Sequence, residues 1–402
     1  MSFGVLASTL LFGCGRQQPV VALPDQQLAD ISRLAQTPPM GWNSWNAFGC
    51  NIDEHLIMRQ ADALVSSGMQ AAGYQYINVD DCWQVGRDEA GNIVADPERF
   101  PSGIKALAAY VHARGLKFGL YTDRGTTTCA GRPGSQGYEL QDARTYAAWG
   151  VDYLKEDNCH ANRDPAVRQQ EYQLMRDALT RTGRDIVLSI CAWNYEDWMP
   201  AVGNLWRTTT EIEDKWASTL RIAKLNSQTA VQARPGHWND ADMLTVGLYG
   251  QGSVGGGGMT DEEYRSQFAL WAMMASPLIA GNDLTQMNAV TKRTLTNPDI
   301  IAVNQDPLGV QGTLLKETGT VQVWVKPLAS GERAVLLLNT GLVPASGSVE
   351  FAEVGLPESG VQGRDLTNGA SLGVLSGSYT ASGIPAHGVV LLRLKDSLAP
   401  AR

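Results

Sequence analysis

The sequence predicts an α/β fold, a (β/α)8 TIM barrel followed by a C-terminal antiparallel β-sandwich domain. From about residue 37, short apolar runs alternate with amphipathic helical segments, giving eight strand–helix units. An open doubly wound sheet usually has fewer such units. After residue 306 the helical period disappears, and alternating segments with Gly, Ser and Pro turns replace it. We therefore expect a signal segment and tether at 1–36, a barrel at 37–306 and a β domain at 307–402.

Each barrel strand is predicted from a short apolar run, and helical spacing follows most of these runs. The predicted strands are, in chain order, PMGWNSW, YQYINVDDCW, LKFGLYTD, VDYLKED, DIVLSICAW, LWRTTTE, HWNDADM and PLIAG. The predicted helices are DEHLIMRQADALVSSG, SGIKALAAYVHARG, ELQDARTYAAWG, DPAVRQQEYQLMRDALTRTG, KWASTLRIAKLNSQ and TDEEYRSQFALWAMMA. The second of these helices ends at a glycine, which is a typical C-cap.

The C-terminal domain is predicted from four segments without a helical period: VQVWVKPL, ERAVLLLNT, GSVEFAEV and HGVVLLRLK. Turn-forming residues separate them, which is the pattern of a small antiparallel domain. Before this domain, the glycine run at 255–258 lacks Walker spacing and a following Lys-Ser/Thr pair. It is more typical of a flexible loop than of a phosphate cradle.

Composition excludes several functional classes. The net charge of −9 and the isoelectric point near 5.1 argue against nucleic-acid binding, which depends on Lys and Arg neutralising phosphates. No basic run suggests an anionic membrane surface, and no stretch reaches the ~18 consecutive apolar residues of a membrane span. The six cysteines and five histidines show no zinc-ligand spacing, so we expect no metal site and no cofactor.

The N-terminus predicts export. MSFGVLASTLLFGCG is a short apolar run that ends in LFGC, and a polar tether containing proline follows it. This pattern resembles a bacterial lipoprotein signal with Cys14 as the lipidated residue, although no Lys or Arg precedes the run and Phe12 is bulky. The alternatives are an ordinary secretory signal and a disordered terminus. We expect a periplasmic or outer-membrane lipoprotein of a bacterium, or a secreted protein, and the six cysteines are typical of oxidising compartments.

Charged and aromatic residues, together with one cysteine, collect at the C-terminal ends of the predicted strands, where TIM barrels build their active sites. They are Trp42, Trp45, Asp80, Asp81, Trp83, Tyr121, Asp123, Lys155, Asp157, Cys191, Trp193, Arg207, Glu211, Trp238, Asp240 and Asp242. Carboxylates hydrogen-bond pairs of hydroxyl groups, and aromatic faces pack against the C–H faces of sugars. We infer a neutral sugar ligand, and the paired acids suggest glycoside hydrolysis.

Each of these residues also has a structural interpretation. An aspartate at a strand end is often a helix N-cap, and the tryptophans could serve the core alone. The DAD at 240–242 imitates the metal-binding DxD of glycosyltransferases, although the barrel context argues against that function. The number of strands that end in such residues favours the sugar site.

The segment DYLKEDNCH at 152–160 contains three acids, and the strand period separates them. Alternate side chains of a strand share a face, so Tyr153, Lys155 and Asp157 point one way and Glu156 points the other. If the strand ends here, Asp157 is the acid held beside Lys155. Asp157 is therefore the first candidate for chemistry.

Six motifs together resemble glycoside hydrolase family 27, the α-galactosidases and α-N-acetylgalactosaminidases. They are TPPMGWNSWNAFGC, INVDDCW, YLKEDNC, LWRTTTE, GHWNDADM and IAVNQDPLG. The resemblance runs from about Thr37 to Asn304 and continues weakly through the β domain. It implies a retaining exo-enzyme that removes terminal α-linked galactose from oligosaccharides or polysaccharide side chains without a cofactor.

The resemblance also implies roles for individual residues. Asp157 would be the nucleophile, and Glu211 stands where the family has its acid/base aspartate. Asp80 and Asp81 would bind the galactose O4 and O6. The other implied sugar contacts are Lys155 at the hydroxyl groups, Trp45 and Tyr121 at the walls, Cys191 and Ala192 after the fifth strand, and Arg207, Asp242 and Met243 near the 2-substituent.

The resemblance accounts for all six cysteines. It implies two disulfides in the barrel, Cys50–Cys82 and Cys129–Cys159. Cys14 is left for lipid, and Cys191 is left as a free thiol at the wall of the sugar pocket.

Several residues depart from the family pattern. Glu211 is one methylene longer than the usual aspartate, and Asp214, three residues on, is a weaker candidate for the acid. Ala192 replaces a glutamate that contacts the sugar O2, as in the α-N-acetylgalactosaminidases, but Tyr195 stands where those enzymes have a small residue. Glu156 replaces an aromatic or aliphatic residue, and we expect it to make a polar contact on the helix side.

These departures keep alternative functions open beside an α-galactoside substrate. Ala192 favours an α-N-acetylgalactosaminidase. A β-L-arabinopyranosidase would act on a sugar that lacks C6, which the pair Asp80 and Asp81 argues against. Glu211 suggests a catalytically inactive galactose-binding module, but the intact Asp157 and Lys155 make an enzyme the better interpretation. The sequence indicates no oligomeric state.

Overall fold

Eight parallel strands form the N-terminal part of the computed structural model, which describes residues 31–397. The strands of this part are β1 (Met40–Asn43), β2 (Tyr76–Asn78), β3 (Gln84–Arg87), β4 (Ile93–Ala95), β5 (Lys117–Asp123), β6 (Tyr153–Asp157), β7 (Val187–Ile190), β8 (Leu205–Arg207), β9 (Trp238–Asp240) and β10 (Leu278–Ala280). The parallel sheet has the order β10-β1-β2-β5-β6-β7-β8-β9, and β3 pairs with β4 in a separate hairpin. A parallel bridge from Leu244, just after β9, to Ala280 closes the ring. The predicted barrel is confirmed.

Helices surround this sheet. They are α1 (Trp45–Phe48), α2 (Glu54–Ser66), α3 (Ile104–His112), α4 (Glu139–Trp149), α5 (Pro165–Arg181), α6 (Met199–Val202), α7 (Trp216–Asn226), α8 (Asp261–Met273), α9 (Ala289–Leu295) and α10 (Pro298–Asn304). The carboxylates of Asp53 and Asp164 cap α2 and α5 by accepting backbone N–H bonds. Ile57, Ala61 and Leu64 place the apolar face of α2 in the core at helical spacing.

The second strand is shorter than the sequence predicts. YQYINVDDCW was expected to be one strand, but β2 ends at Asn78 and β3 begins at Gln84. The carboxylate of Asp80 accepts the N–H of Asp81 at 3.0 Å, and the carboxylate of Asp81 accepts the N–H of Cys82 at 2.7 Å. Short acidic side chains that bond the nearby backbone in this way turn a chain out of a strand. The turn leaves both carboxyl groups at the mouth of the barrel.

Three tryptophans expected at strand ends belong to the core instead. Trp42, Trp83 and Trp238 are fully buried, and their indole N–H groups donate to backbone carbonyls of neighbouring core segments. Trp83 packs edge-on against Tyr146 and Trp149 on the helix side. A buried tryptophan contributes a large apolar surface once its N–H has a partner, so these side chains stabilise the barrel.

An antiparallel domain follows the barrel, as predicted. Its strands are β11 (Thr313–Thr318), β12 (Val321–Pro327), β13 (Arg333–Asn339), β14 (Ala345–Glu350), β15 (Ser359–Asp365), β16 (Ser371–Ser376), β17 (Ser378–Ile384) and β18 (Val389–Asp396). Six of them form a sheet in the order β11-β12-β13-β18-β15-β16, and β14 pairs with β17. GSVEFAEV was expected to be one strand, but β14 ends at Glu350 and a 3-10 turn covers Phe351–Val354.

The two domains share a hydrophobic core. Leu336 of β13 belongs to the same buried cluster as Trp271 of α8, whereas its neighbours Val335 and Leu337 face the second layer of the β domain. Alternate residues of one strand therefore serve two cores. Within residues 31–397, no helix has the length and apolar character needed to cross a membrane.

Candidate active site

Asp157 lies at the C-terminal end of β6, in the mouth of the barrel. Tyr153 and Lys155 of the same strand line the barrel interior, and the carboxyl group of Asp157 shares their face. The Tyr121 hydroxyl donates to Oδ2 of Asp157 at 2.9 Å, and the backbone N–H of Asn158 donates to Oδ1 at 2.9 Å. These two bonds give the buried carboxylate one orientation.

The charge of Asp157 is set by two opposing effects. Burial raises the pKa of Asp157 to about 6, although the positive charge of Lys155 and the Tyr121 hydrogen bond both oppose the rise. The Lys155 ammonium group donates directly to Asp80, at 2.9 Å. Asp157 is therefore ionised at neutral pH and becomes protonated in mild acid.

Asp80 and Asp81 form a buried pair beside Lys155. Oδ2 of Asp80 accepts bonds from the Lys155 ammonium at 2.9 Å and from the Asn43 side-chain amide at 2.7 Å. Oδ2 of Asp81 accepts the backbone N–H of Ala130 at 2.9 Å, and burial raises the pKa of Asp81. The two acids thus present oriented acceptor oxygens to hydroxyl groups in the barrel mouth.

Arg207, Asp242 and Glu211 form a second charged group across the mouth. Arg207 pairs with the buried Asp242 at 2.7 Å and with Glu211 at 3.3 Å. Partial desolvation raises the pKa of Glu211, but the charges of Arg207 and Lys155 outweigh it and leave the pKa below the usual glutamate value. The Glu211 side chain is 61% exposed, so it lies at the rim while Asp157 lies inside.

Several expected sugar contacts meet at one small cavity on the barrel axis. Lys155, Cys191, Arg207, Asp242 and Met243 line it, together with Asp240, which the sequence placed at a strand end without a role. The lining also includes residues that the sequence interpretation left out of the site: Asn43, Asn78, Tyr153, Ser189 and Ile279. Most of these additional residues are the last or inner residues of barrel strands. Position within the strand was therefore the signal that could have identified them.

The remaining expected wall residues differ in exposure. Trp45 is half-buried at the start of α1, where its backbone N–H donates to the Asn43 side chain at 2.8 Å. Ala192 is 1% exposed, and its methyl group adds little to the pocket surface. Tyr195 is half-buried, and its ring centroid lies 6.4 Å from that of Trp206.

Asp214, the weaker candidate for the acid, is buried and already hydrogen-bonded. It is 1% exposed, and its carboxylate accepts the Tyr264 hydroxyl at 2.9 Å and the backbone N–H of Gly250 at 2.8 Å. These bonds argue against Asp214 as a rival acid, because its oxygens already serve structural donors.

Glu156 makes no polar contact of the kind we expected. It is fully buried between β6 and the helices, and neither carboxyl oxygen has a hydrogen-bond partner among the described residues. Burial raises the pKa of Glu156 well above its usual value, which favours the protonated form. The expected polar contact is therefore wrong, and the carboxyl group is left without a partner.

Two disulfides support the mouth of the barrel. Cys50 is bonded to Cys82 and Cys129 to Cys159, and Cys191 is a buried free thiol. In residues 31–397, one group of metal-type ligands occurs, in which Asp123 and Asp157 lie within 4.8 Å of the sulfurs of Cys129 and Cys159. Those two sulfurs are bonded to each other, and it is the thiolate that binds a metal, so the cluster offers only two carboxylates.

Two family profiles match the chain. A profile described as Alpha galactosidase A matches residues 37–306, and one described as Alpha galactosidase C-terminal beta sandwich domain matches residues 318–394. The first match spans the barrel, and the second lies within the β domain.

Individual proteins agree with these profiles. An α-galactosidase from Cyamopsis tetragonoloba is 49% identical over 354 residues, covering 87% of this chain and 84% of that protein. Alpha-galactosidase A from Cellvibrio japonicus is 44% identical over 410 residues, covering 96% and 98%. The crystal structure of α-galactosidase I from Mortierella vinacea superposes with a TM-score of 0.85 at 38% identity, covering 92% of this chain and 99% of that chain.

Proteins with the alternative activities are also similar to this chain. An α-N-acetylgalactosaminidase from Gallus gallus is 42% identical, covering 81% of this chain and 84% of that protein. A β-L-arabinopyranosidase from Geobacillus stearothermophilus is 27% identical at a TM-score of 0.84, covering 92% and 99%. The chain is an α-galactoside hydrolase, and it belongs to glycoside hydrolase family 27, the α-galactosidase family.

Proposed function

We propose that the chain is a retaining exo-α-galactosidase in which Asp157 is the nucleophile and Glu211 is the acid/base. The contrast between the two carboxyl groups carries this proposal. Asp157 is buried and oriented by Tyr121, whereas Glu211 lies at the rim beside Arg207. A retaining glycosidase needs one carboxylate inside the site to attack the anomeric carbon and one carboxyl group toward the leaving oxygen.

Galactose would bind with its ring between Trp45 and Tyr121. Asp80 and Asp81 would accept hydrogen bonds from the O4 and O6 hydroxyl groups, and Lys155, 2.9 Å from Asp80, would donate to the sugar oxygens. The pair of Arg207 and Asp242 would contact the 2-substituent. The enzyme would bind a terminal sugar, so hydrolysis would remove single galactose units from oligosaccharides or polysaccharide side chains.

The chemistry would proceed in two displacements. Asp157 attacks the anomeric carbon while Glu211 gives its proton to the leaving oxygen, and a galactosyl ester forms on Asp157. The two carboxyl groups are coupled, since Glu211 raises the pKa of Asp157. Formation of the ester removes the charge of Asp157, which lowers the proton affinity of Glu211. Glu211 is then ready to take a proton from the water that cleaves the ester.

Three aryl glycosides compared side by side test the substrate: the α-galactoside, the α-N-acetylgalactosaminide and the β-L-arabinopyranoside. We expect the highest kcat/KM for the α-galactoside. Ala192→Glu should penalise the N-acetylated substrate further, because the added carboxylate would occupy the space of the acetyl group. Preference for another glycoside would contradict the proposed specificity.

The same assay tests the nucleophile. Asp157→Asn should lower kcat by roughly a thousandfold or more while the protein still binds galactose, since the amide keeps the shape of the carboxylate without its charge. Near-normal turnover would remove Asp157 from the nucleophile role. Galactose binding without turnover in the unaltered chain would instead favour the inactive binding module.

We also propose that the chain is exported and anchored by lipid at Cys14. Cys14 lies outside the described residues, so the support is the apolar run that ends in LFGC, together with two disulfides, which are typical of oxidising compartments. Cells that produce the full chain should incorporate labelled palmitate into it, and Cys14→Ser should abolish the label. Equal labelling of both proteins would contradict the anchor.

A further inference from the structure

A glycine-rich segment, residues 250–258, connects the end of the barrel mouth to α8, and we call it the glycine loop. Its backbone bonds directly to Asp214, three residues after Glu211. The N–H of Asp214 donates to the carbonyl of Gly255 at 3.0 Å, and the N–H of Gly258 donates to the carbonyl of Asp214 at 2.9 Å. The N–H of Gly250 donates to the Asp214 carboxylate at 2.8 Å.

The same loop also bonds to the wall of the sugar pocket. The backbone N–H of Ser253 donates to the carbonyl of Asn46 at 2.8 Å, and the Ser253 hydroxyl donates to the carbonyl of Trp45. One short loop therefore connects the segment of the proposed acid/base with the residue proposed to stack on the sugar.

The hydroxyl group of Tyr264, a residue of α8, hydrogen-bonds to both Asp214 and the residues that flank the glycine loop. It donates to the Asp214 carboxylate at 2.9 Å and accepts the backbone N–H groups of Tyr249 at 2.7 Å and Met259 at 3.3 Å. Tyr249 and Met259 flank the glycine loop, so a single buried hydroxyl holds both ends of the loop and Asp214 together.

Two of the glycines are required by these contacts. A Cβ on Gly252 would lie 2.1 Å from the carbonyl oxygen of Asn46, and a Cβ on Gly256 would lie within 2.7 Å of backbone atoms of Asp214. Gly257 has a similar positive φ of +90°, compared with +105° for Gly256, but its Cβ would meet no atom within 4 Å. Gly257 thus offers a matched control with the same backbone strain and no clash.

We propose that the glycine loop is a positioning element for Glu211, with Asp214 and Tyr264 as its anchors. The segment from Ile212 to Asp214 is held at both ends, since the N–H of Ile212 donates to Asp242 at 2.8 Å. The rim side chain of Glu211 has little burial of its own, so its reach toward the leaving oxygen follows from the placement of this segment. The inference deepens the proposed function and rests on the acid/base role of Glu211.

Displacement of the segment should affect proton donation more than bond breaking itself. A misplacement of about 1 Å in a catalytic group can cost roughly a hundredfold in rate. The cost falls on substrates whose leaving oxygen needs a proton, and an activated leaving group departs without one. The leaving-group dependence of the rate therefore separates poor positioning of Glu211 from general damage.

The experiment measures kcat/KM for melibiose and for 2,4-dinitrophenyl α-galactoside, with thermal unfolding of each variant as the check on folding. Gly256→Ala, Asp214→Asn and Tyr264→Phe should lower the value for melibiose by roughly 10- to 100-fold and change the value for the activated substrate by less than roughly threefold. Gly257→Ala should match the unaltered enzyme on both substrates. Tyr264→Phe removes one hydroxyl with the ring in place, so it keeps the test open if Gly256→Ala fails to fold.

Glu211→Gln supplies the reference for a lost acid. Suppose that Glu211→Gln shows the leaving-group dependence, but the loop variants lower kcat/KM equally for both substrates or for neither. The positioning proposal is then overturned and the acid assignment stands. If Gly257→Ala behaves like Gly256→Ala, backbone strain explains the effect and the proposal fails. If Glu211→Gln itself lowers kcat/KM equally for both substrates, both the acid assignment and the positioning proposal are wrong.

Discussion

Asp157 and Glu211 have similar chemistry and very different surroundings. Asp157 is buried with one hydroxyl and one backbone N–H as donors, and its pKa is raised to about 6. Glu211 lies beside Arg207, and its pKa is lowered. The proposed acid thus has a lower pKa than the proposed nucleophile. The productive form holds one proton for the two groups, with Glu211 protonated and Asp157 ionised.

This order of pKa values predicts an acidic optimum. Above pH 6 both groups are ionised and the acid has no proton to give, and at pH values below the lowered pKa of Glu211 both are protonated and the nucleophile is lost. We expect kcat/KM for melibiose to peak below pH 6 and to fall toward neutrality. In Glu211→Gln, assayed with the dinitrophenyl galactoside, the fall above pH 6 should disappear and the acidic limb should remain. A maximum at pH 7 or above would contradict this interpretation.

At the scale of single residues, the sequence was most informative about Asp157. Strand alternation selected it over Glu156, and the structure places the two on opposite sides of β6. It was less informative about the tryptophans, because a strand-end position does not reveal which way a large side chain turns. Trp42 and Trp83 turn into the core, whereas Trp45 starts a helix at the mouth.

At the scale of elements, β6 has one face that lines the site and another that buries an unsatisfied carboxyl group. Lys155 and Asp157 face the mouth, while Glu156 buries a carboxyl group on the opposite side of the strand, with no hydrogen-bond partner among the described residues. Burying an unsatisfied polar group costs about 1–3 kcal/mol. The strand thus loses stability at the position next to the proposed nucleophile.

Replacing this carboxyl group should stabilise the protein. Glu156→Leu should raise the free energy of unfolding by about 1–3 kcal/mol, since it replaces the unsatisfied carboxyl group with an apolar side chain of similar size. The folded-state pKa of Glu156 is raised above the usual 4.5, so unfolding releases a proton above that pH, and the gain should grow as pH rises. Urea unfolding at pH 5 and pH 7 measures both effects. Glu156→Gln is the polar control, and an equal gain in that variant would contradict the explanation.

The glycine loop is the element that the sequence described least well. A run of glycines was interpreted as flexible because nothing local shows what lies against it. Its contacts with Asp214 and Asn46 join residues more than thirty positions apart in sequence. Glycine occurs here because two backbones meet closely, as the short Cβ distances at Gly252 and Gly256 show.

At the scale of the whole molecule, one lysine lies between the two domains. Lys326 of β12 is fully buried, and its ammonium group donates to the carbonyl of Val303 at 2.6 Å and to that of Ala272 at 3.4 Å. Both carbonyls lie near the C-terminal ends of barrel helices, α10 and α8. Burial lowers the pKa of Lys326 to about 7, and Asp306 opposes the shift only in part.

Lys326 should make the stability of the molecule depend on pH. Its pKa is about 7 in the folded state and 10.5 in the unfolded state, so the unfolded chain binds the extra proton between these values. The contribution of Lys326 to the free energy of unfolding should therefore rise with pH in this window, by at most about 1.4 kcal/mol per unit. Urea unfolding at pH 7, 8 and 9 should show this rise, and Lys326→Met should remove it. The exposed Lys105→Met is the control, and an unchanged slope in Lys326→Met would contradict the assignment.

The sequence by itself determined the eight barrel strands and six of the barrel helices, the change to a β domain and the carboxyl groups at the barrel mouth. These features depend on local periodicity, on turn residues and on the alternation of side chains along a strand, all of which are visible in short segments. Only the tertiary structure decided the charge states of Asp157 and Glu211, the structural role of Asp214 and the place of the glycine loop. Burial, ion pairing and close backbone contact join residues far apart in the chain, so no local pattern contains them.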